Sequence, residues 1–138
     1  APTNTTSTIP TTTTRTTTRT TLPYRDGFQS VFQFIQHHLD NGQSVLIHCL
    51  AGAHRAGTTG VAWLLYQHNI IQQQQQQQHV QQQQPLMNVQ EAIQLAQSFR
   101  PIIRPFGVLL ECLHVLEHEL KLLKQVQEQE HQHQPTRA

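Results

Sequence analysis

The chain has 138 residues, 36% hydrophobic and 12% charged, and its nine Lys/Arg are spread along it at a formal net charge of +1, which removes the electrostatic footprint of a nucleic-acid or acidic-membrane partner. No apolar run of about 20 residues exists to span a bilayer, and the amino end lacks the apolar centre of a signal peptide, so a soluble protein is expected. Two cysteines, Cys49 and Cys112, are too few for a disulfide framework, which points to a reducing compartment, cytoplasmic or nuclear.

Thirteen of the first 21 residues are Thr, a polar β-branched tract with almost nothing to bury, and residues 1–22 are expected to be disordered. Phe28, Val31, Phe32, Ile35 and Leu39 recur at helical spacing behind Asp26, a candidate N-cap, and Asn41-Gly42 supplies a stop. Ser44 to His48 is a short apolar run bounded by turn residues, the pattern of a strand covered on both faces. Val61 to Tyr66 is apolar nearly all round, as in a buried helix. Gln72 to Gln84 carries eleven Gln and reads as a surface insertion between helices. Asn88 with Glu91 forms a capping-box pattern ahead of a helix whose apolar face is Val89, Ala92, Ile93, Ala96 and Phe99. A last helix starts at Phe106 and runs through Val108, Leu109, Cys112, Leu116, Leu120 and Leu123 into a polar tail, 126–138. The low-complexity tracts leave roughly 90 residues for a core, small for an independent α/β domain. A chain that starts at Ala1 and whose only Met is Met87 reads as a fragment or a processed product.

Chemistry concentrates in IHCLAGAHRAGTTG, Ile47 to Gly60. A strand ending at Cys49 and a helix beginning near Arg55 leave the N–H groups of residues 50–55 free to converge on one point, an anion cradle. Gly52 permits the tight turn, Gly57 permits close packing of the helix start, and Arg55 offers a planar fork for two phosphate oxygens. A thiol facing a helix amino terminus and a guanidinium is stabilised as thiolate and can attack phosphorus at neutral pH.

HCLAGAHR resembles the HCxxGxxR signature of the protein tyrosine phosphatase superfamily. The helix before Gly42 together with SVLIHC, the Ala62-Trp63-Leu64-Leu65 segment and RPIIRPFG are similar to the corresponding parts of dual-specificity phosphatases. The resemblance covers residues 24 to about 124 apart from the Gln insertion. It implies an α/β, three-layer fold, a mostly parallel sheet flanked by helices, with the amino-terminal part of the domain missing or degenerate. The domain is expected over residues 23–125, with the insertion at 72–84. The resemblance further implies hydrolysis of phosphotyrosine or phosphoserine/threonine on a phosphoprotein through a phosphocysteine, with no cofactor and no metal. Cys49 would be the nucleophile, Arg55 would bind the phosphoryl oxygens and His48 would brace the loop. The backbone of Leu50, Ala51, Gly52, Ala53 and His54 would complete the cradle.

Two positions depart from that pattern. Ala56 stands where the family usually has a Ser or Thr that helps the cysteine leave, with Thr58 and Thr59 the nearest hydroxyls. The family's general acid, an Asp about 30 residues before the cysteine, would fall among Thr17 to Thr20. The only acids before Cys49 are Asp26 and Asp40, both at helix ends, and Asp26 is the candidate acid. Other readings stay open: an unrelated cysteine enzyme such as a rhodanese-like sulfurtransferase, or a pseudophosphatase that binds without turnover. His114-Val115-Leu116-Glu117-His118 spells H-x-x-E-H, but the same helix needs its neighbours for the core, and a solvated polar face is the simpler account.

Overall fold

The computed structural model describes residues 22–76 and 85–132; the expected disorder of residues 1–21, most of the Gln insertion (77–84) and the end of the tail (133–138) lie outside them. Helix α1 spans Pro23–Asp40, with Pro23 in the first turn, where its preset φ suits the helix and its missing N–H leaves nothing unpaired. Phe32 and Ile35 are its buried residues. Its end follows from Gly42, whose φ of +69° lets the chain turn back. The N–H groups of Gly42 and Gln43 then donate to the carbonyls of Leu39 and His38, each at 2.9 Å.

Helix α2, Arg55–Tyr66, runs through the middle of the core, with Val61, Ala62, Trp63 and Leu65 buried. It continues into a π-helical segment, Gln67–Gln72, and a short helix α3, Gln73–Gln76. The buried Asn69 reaches across the Gln insertion, donating to the Met87 carbonyl at 3.0 Å and accepting from the Met87 N–H at 2.8 Å. Helix α4, Val89–Phe99, starts at a complete capping box: the Glu91 N–H donates to Asn88 and the Asn88 N–H to Glu91. Helix α5, Val108–Gln132, is the longest. Helix α2 packs against α4 and α5, and α1 packs against α5. The core joins Phe32, the α2 residues, Ala92 and Ile93 to Leu113, Leu116 and Leu120, with the Phe32 ring stacked on Tyr66 at 4.4 Å. No helix among the described residues is long and apolar enough to cross a membrane.

The expected three-layer fold is corrected by this arrangement. Among the described residues there is no strand and no sheet: helices account for the regular structure. Residues 44–48 carry no regular structure: a strand needs a neighbour to exchange N–H and C=O bonds with, and among the described residues they make no such bonds. Val45 and Ile47 are half-buried against the core, while Leu46 is 82% exposed, so one face of the segment is covered and not both. Four smaller expectations also change. Leu22, buried, is the N-cap of α1, and Asp26 lies in the first turn, accepting from the Leu22 N–H at 3.3 Å and facing Arg25 at 3.2 Å. Phe99, placed on the apolar face of α4, is 80% exposed at its last turn. On α5 the stripe centres on Leu113, with Cys112 half-buried beside it. The helix also runs on to Gln132, into the expected polar tail.

Two glutamates of α5 close the amino ends of other helices. The buried Glu119 accepts from the N–H groups of Tyr24 and Arg25 at 3.2 and 2.6 Å, and Glu117 accepts from the Val89 N–H at 2.9 Å and pairs with Lys121. Each carboxylate meets both the orphan amides and the positive end of a helix dipole. Glu119→Ala is expected to lower the unfolding free energy by roughly 2–3 kcal/mol, the scale of charge-assisted bonds lost to part-buried amides, measured by urea titration. Burial raises the carboxyl of Glu117, but the Lys121 hydrogen bond, the Val89 N–H and the charges of Lys121 and His114 outweigh it and hold it below the usual glutamate range. Its stabilisation is therefore complete above the unfolded value of about 4.3 and is lost as pH falls through the lower folded value. Glu117→Gln is expected to flatten that acid limb of the stability curve.

Candidate active site

The loop between residues 44–48 and α2 turns on Gly52, whose φ of +73° is open to glycine and strained for other residues. The turn aims backbone N–H groups at one sulfur. The Gly52 N–H donates to Cys49 Sγ at 3.2 Å. The amide of Ala56 does most to hold the thiol below its ordinary range; burial opposes it, and the amides of Gly52 and Ala51 and the charge of Arg55 add to the lowering. Cys49 thus sits at the amino end of α2 with its thiol held below the ordinary range.

A cleft of about 370 Å³ opens beside it, walled by Leu46, Ile47, His48, Leu50, Gly57 and Arg100 among others. Arg55, at the first position of α2, has an exposed side chain and acts on Cys49 through its charge rather than as part of the cleft wall. His48 is exposed on that wall, and among the described residues its ring makes no hydrogen bond. The imidazole that braces the loop is His54: its Nδ1 lies 2.9 Å from the Arg104 carbonyl, which can only accept, so the proton is on Nδ1. The His54 ring also meets Phe106 edge-on at 4.6 Å.

The back of the cradle comes from residues 100–106, a segment the sequence marks only as a turn. The Arg104 N–H donates to the Ala53 carbonyl at 2.9 Å. Ile103 lies so close to Gly57 that a Cβ there would meet its Cγ2 at 3.1 Å. The Arg100 guanidinium covers Gly52, 3.1–3.5 Å from where a Cβ would stand, and Nη2 donates to the Ala51 carbonyl at 3.4 Å. The arginine-to-turn spacing in RPIIRPFG is the only signal in the sequence that could have flagged Arg100.

The two departures have definite positions. Ala56 is buried where a hydroxyl was expected. The Thr58 and Thr59 hydroxyls donate to the carbonyls of His54 and Arg55 at 2.6 and 3.1 Å, so their protons are turned into α2 and away from the sulfur. All eight carboxyl residues of the chain lie among the described residues, and none lines the cleft. Asp26 is held at the start of α1, Asp40 accepts from Gln36, Glu91 serves the α4 cap, and Glu117 and Glu119 cap α4 and α1. Glu111, Glu128 and Glu130 are exposed along α5. His114 and His118 are exposed on the same helix, and the Glu117 between them is engaged by Val89 and Lys121.

Cys49 is expected to react with iodoacetamide well before the half-buried Cys112 at neutral pH, with its rate falling as pH drops below the ordinary thiol range. Gly52→Ala, which forces a Cβ against Arg100 at a positive φ, is expected to cost about 1–2 kcal/mol in urea unfolding and to remove that preference. Peptide mapping of the alkylated chain reads both.

No curated protein and no solved structure matches the chain. A model of the dual specificity phosphatase catalytic domain matches residues 3–117, from within the Thr-rich tract to Glu117 of α5. That span holds the whole cradle, its backing segment and most of the described helices, and by it the chain belongs to the dual specificity phosphatase catalytic-domain family.

Proposed function

We propose that the chain is a cysteine-dependent phosphatase acting on phosphate monoesters of proteins, with Cys49 as nucleophile. The observation that carries this is the sulfur of Cys49 under the amides of Ala56, Gly52 and Ala51 at the head of α2, with the Arg55 charge beside it. The thiolate attacks phosphorus, an S–P bond forms and the P–O bond to the substrate breaks, and the electron pair leaves with the alcohol oxygen. Water then attacks the phosphocysteine, inorganic phosphate departs and the thiolate returns. In both steps the charge on the phosphoryl oxygens would be met by the loop amides from Leu50 to His54 and by Arg55; the amides of Ala51 and Gly52, already turned toward the Cys49 sulfur, support that role. The loop is braced by His54, and His48 contributes to the cleft wall.

A leaving oxygen is helped by a proton, and this cleft has no carboxyl to give one: Asp26 is tied to Leu22 and Arg25. We therefore read the chain as selective by leaving group. Aryl esters, whose phenolate departs with little protonation, are its workable substrates, phosphotyrosine among them; phosphoserine and phosphothreonine depend on an acid this chain does not place. The same observation, together with Ala56 and the turned-in hydroxyls of Thr58 and Thr59, supports a second reading, a phosphate-binding module that holds a phosphoprotein partner without turnover.

Hydrolysis of para-nitrophenyl phosphate and of a phosphoserine peptide separates these. The aryl ester is expected to turn over and the peptide to lag by about 10² to 10⁴ beyond their intrinsic difference, the usual worth of general-acid help. Cys49→Ser should abolish both. Peptide turnover that Asp26→Asn lowers sharply would restore Asp26 as the acid, and binding of phosphate with no hydrolysis of either ester would favour the second reading.

A further inference from the structure

We propose that Arg100 is a positioning residue for the phosphate cradle, locking the peptide unit between Ala51 and Gly52 with its N–H toward Cys49. The two ends of this one peptide plane have different partners. Its oxygen, on Ala51, accepts from Arg100 Nη2 at 3.4 Å, and its nitrogen, on Gly52, donates to Cys49 Sγ at 3.2 Å. In a trans peptide C=O and N–H point in opposite directions, so a guanidinium that holds the oxygen outward fixes the N–H inward. The guanidinium also crowds Gly52, with Nη2, Nε and Cζ at 3.1, 3.4 and 3.5 Å from the Cβ position, which opposes movement of the peptide plane toward it.

Such a lock has a physical purpose. Loop amides that converge on one point repel one another until an anion arrives, and glycine at φ +73° gives the Ala51–Gly52 unit freedom to flip. Arg100 is itself held: it is the C-cap of α4, its N–H donating to Ala96 at 3.0 Å, its carbonyl accepting from Ile103 at 3.1 Å. The lock thereby ties the cradle to a helix of the core across 48 residues, from Gly52 to Arg100. The other charged or titratable groups around Cys49 are His48 on the cleft wall, His54 in the loop, engaged by the Arg104 carbonyl, and Arg55 on α2. Arg100 therefore acts through backbone geometry, and its charge alone does not replace it.

The inference rests on Cys49 being the cradled nucleophile, and the test separates the two. The chain carrying Cys112→Ser is alkylated with iodoacetamide from acid to alkaline pH, with and without inorganic phosphate, and compared with Arg100→Ala and Arg100→Lys in the same background; urea unfolding is followed in parallel. Both variants are expected to react roughly three- to tenfold more slowly at neutral pH, the scale of one lost oriented hydrogen bond. They are also expected to lose much of the protection by phosphate while unfolding cooperatively. Full reactivity in Arg100→Lys would overturn the proposal in favour of charge, and unchanged reactivity in Arg100→Ala, or loss of cooperative unfolding in both variants, would overturn it as well. If the parent chain reacts no faster than a free cysteine peptide at neutral pH, the cradle itself, and the phosphatase reading with it, is what fails.

Discussion

The loop from Cys49 to Arg55 must hold several N–H groups pointed at one sulfur, and a backbone does not stay in that shape unaided. The amides repel, the turn needs a positive φ at Gly52, and the loop has few bonds of its own. The surrounding structure supplies contacts that hold the shape. Helix α2 fixes one end of the loop. Residues 100–106 press on the other side through Arg100, Ile103, Arg104 and the contact of His54 with Phe106. The sulfur then becomes the acceptor that the amides lack, which is the physical content of its lowered pKa.

That backing segment can press only if α4 and α5 are themselves placed, and here the polar groups of α5 matter as much as its leucines. Leu113, Leu116 and Leu120 bury one stripe against α2, while Glu117 and Glu119 reach to either side and close the amino ends of α4 and α1. The carboxylates thus orient the helices that the apolar core merely gathers. A consequence runs through to chemistry: acids that serve as caps are not available as proton donors at the cleft, and the chain has no others there.

What was legible in the sequence was local. Asn88 and Glu91 sit three apart and make the capping box their spacing implies; Asn41-Gly42 stops α1; His48 to Arg55 carry the family's pattern in eight consecutive residues. What was not legible depended on partners far along the chain. Ser44 to His48 reads as a short apolar run suited to a strand covered on both faces, but pairing is a property of two segments, and the run by itself cannot say whether the second one is at hand. Glu119 looks like any polar position on α5 until it is set against Tyr24 and Arg25, more than ninety residues away. Arg100 reads as a charge before a proline, and only the fold brings it over Gly52.

The central claim is that Cys49 forms a covalent bond to phosphorus in this cradle. The direct measurement is an acid quench of the chain during reaction with an aryl phosphate, followed by mass analysis of the peptide that contains Cys49. One phosphoryl group on the Cys49 thiol, absent in Cys49→Ser, is the predicted result. Product release with the label missing, or with phosphate on His48 or His54 instead, would contradict it.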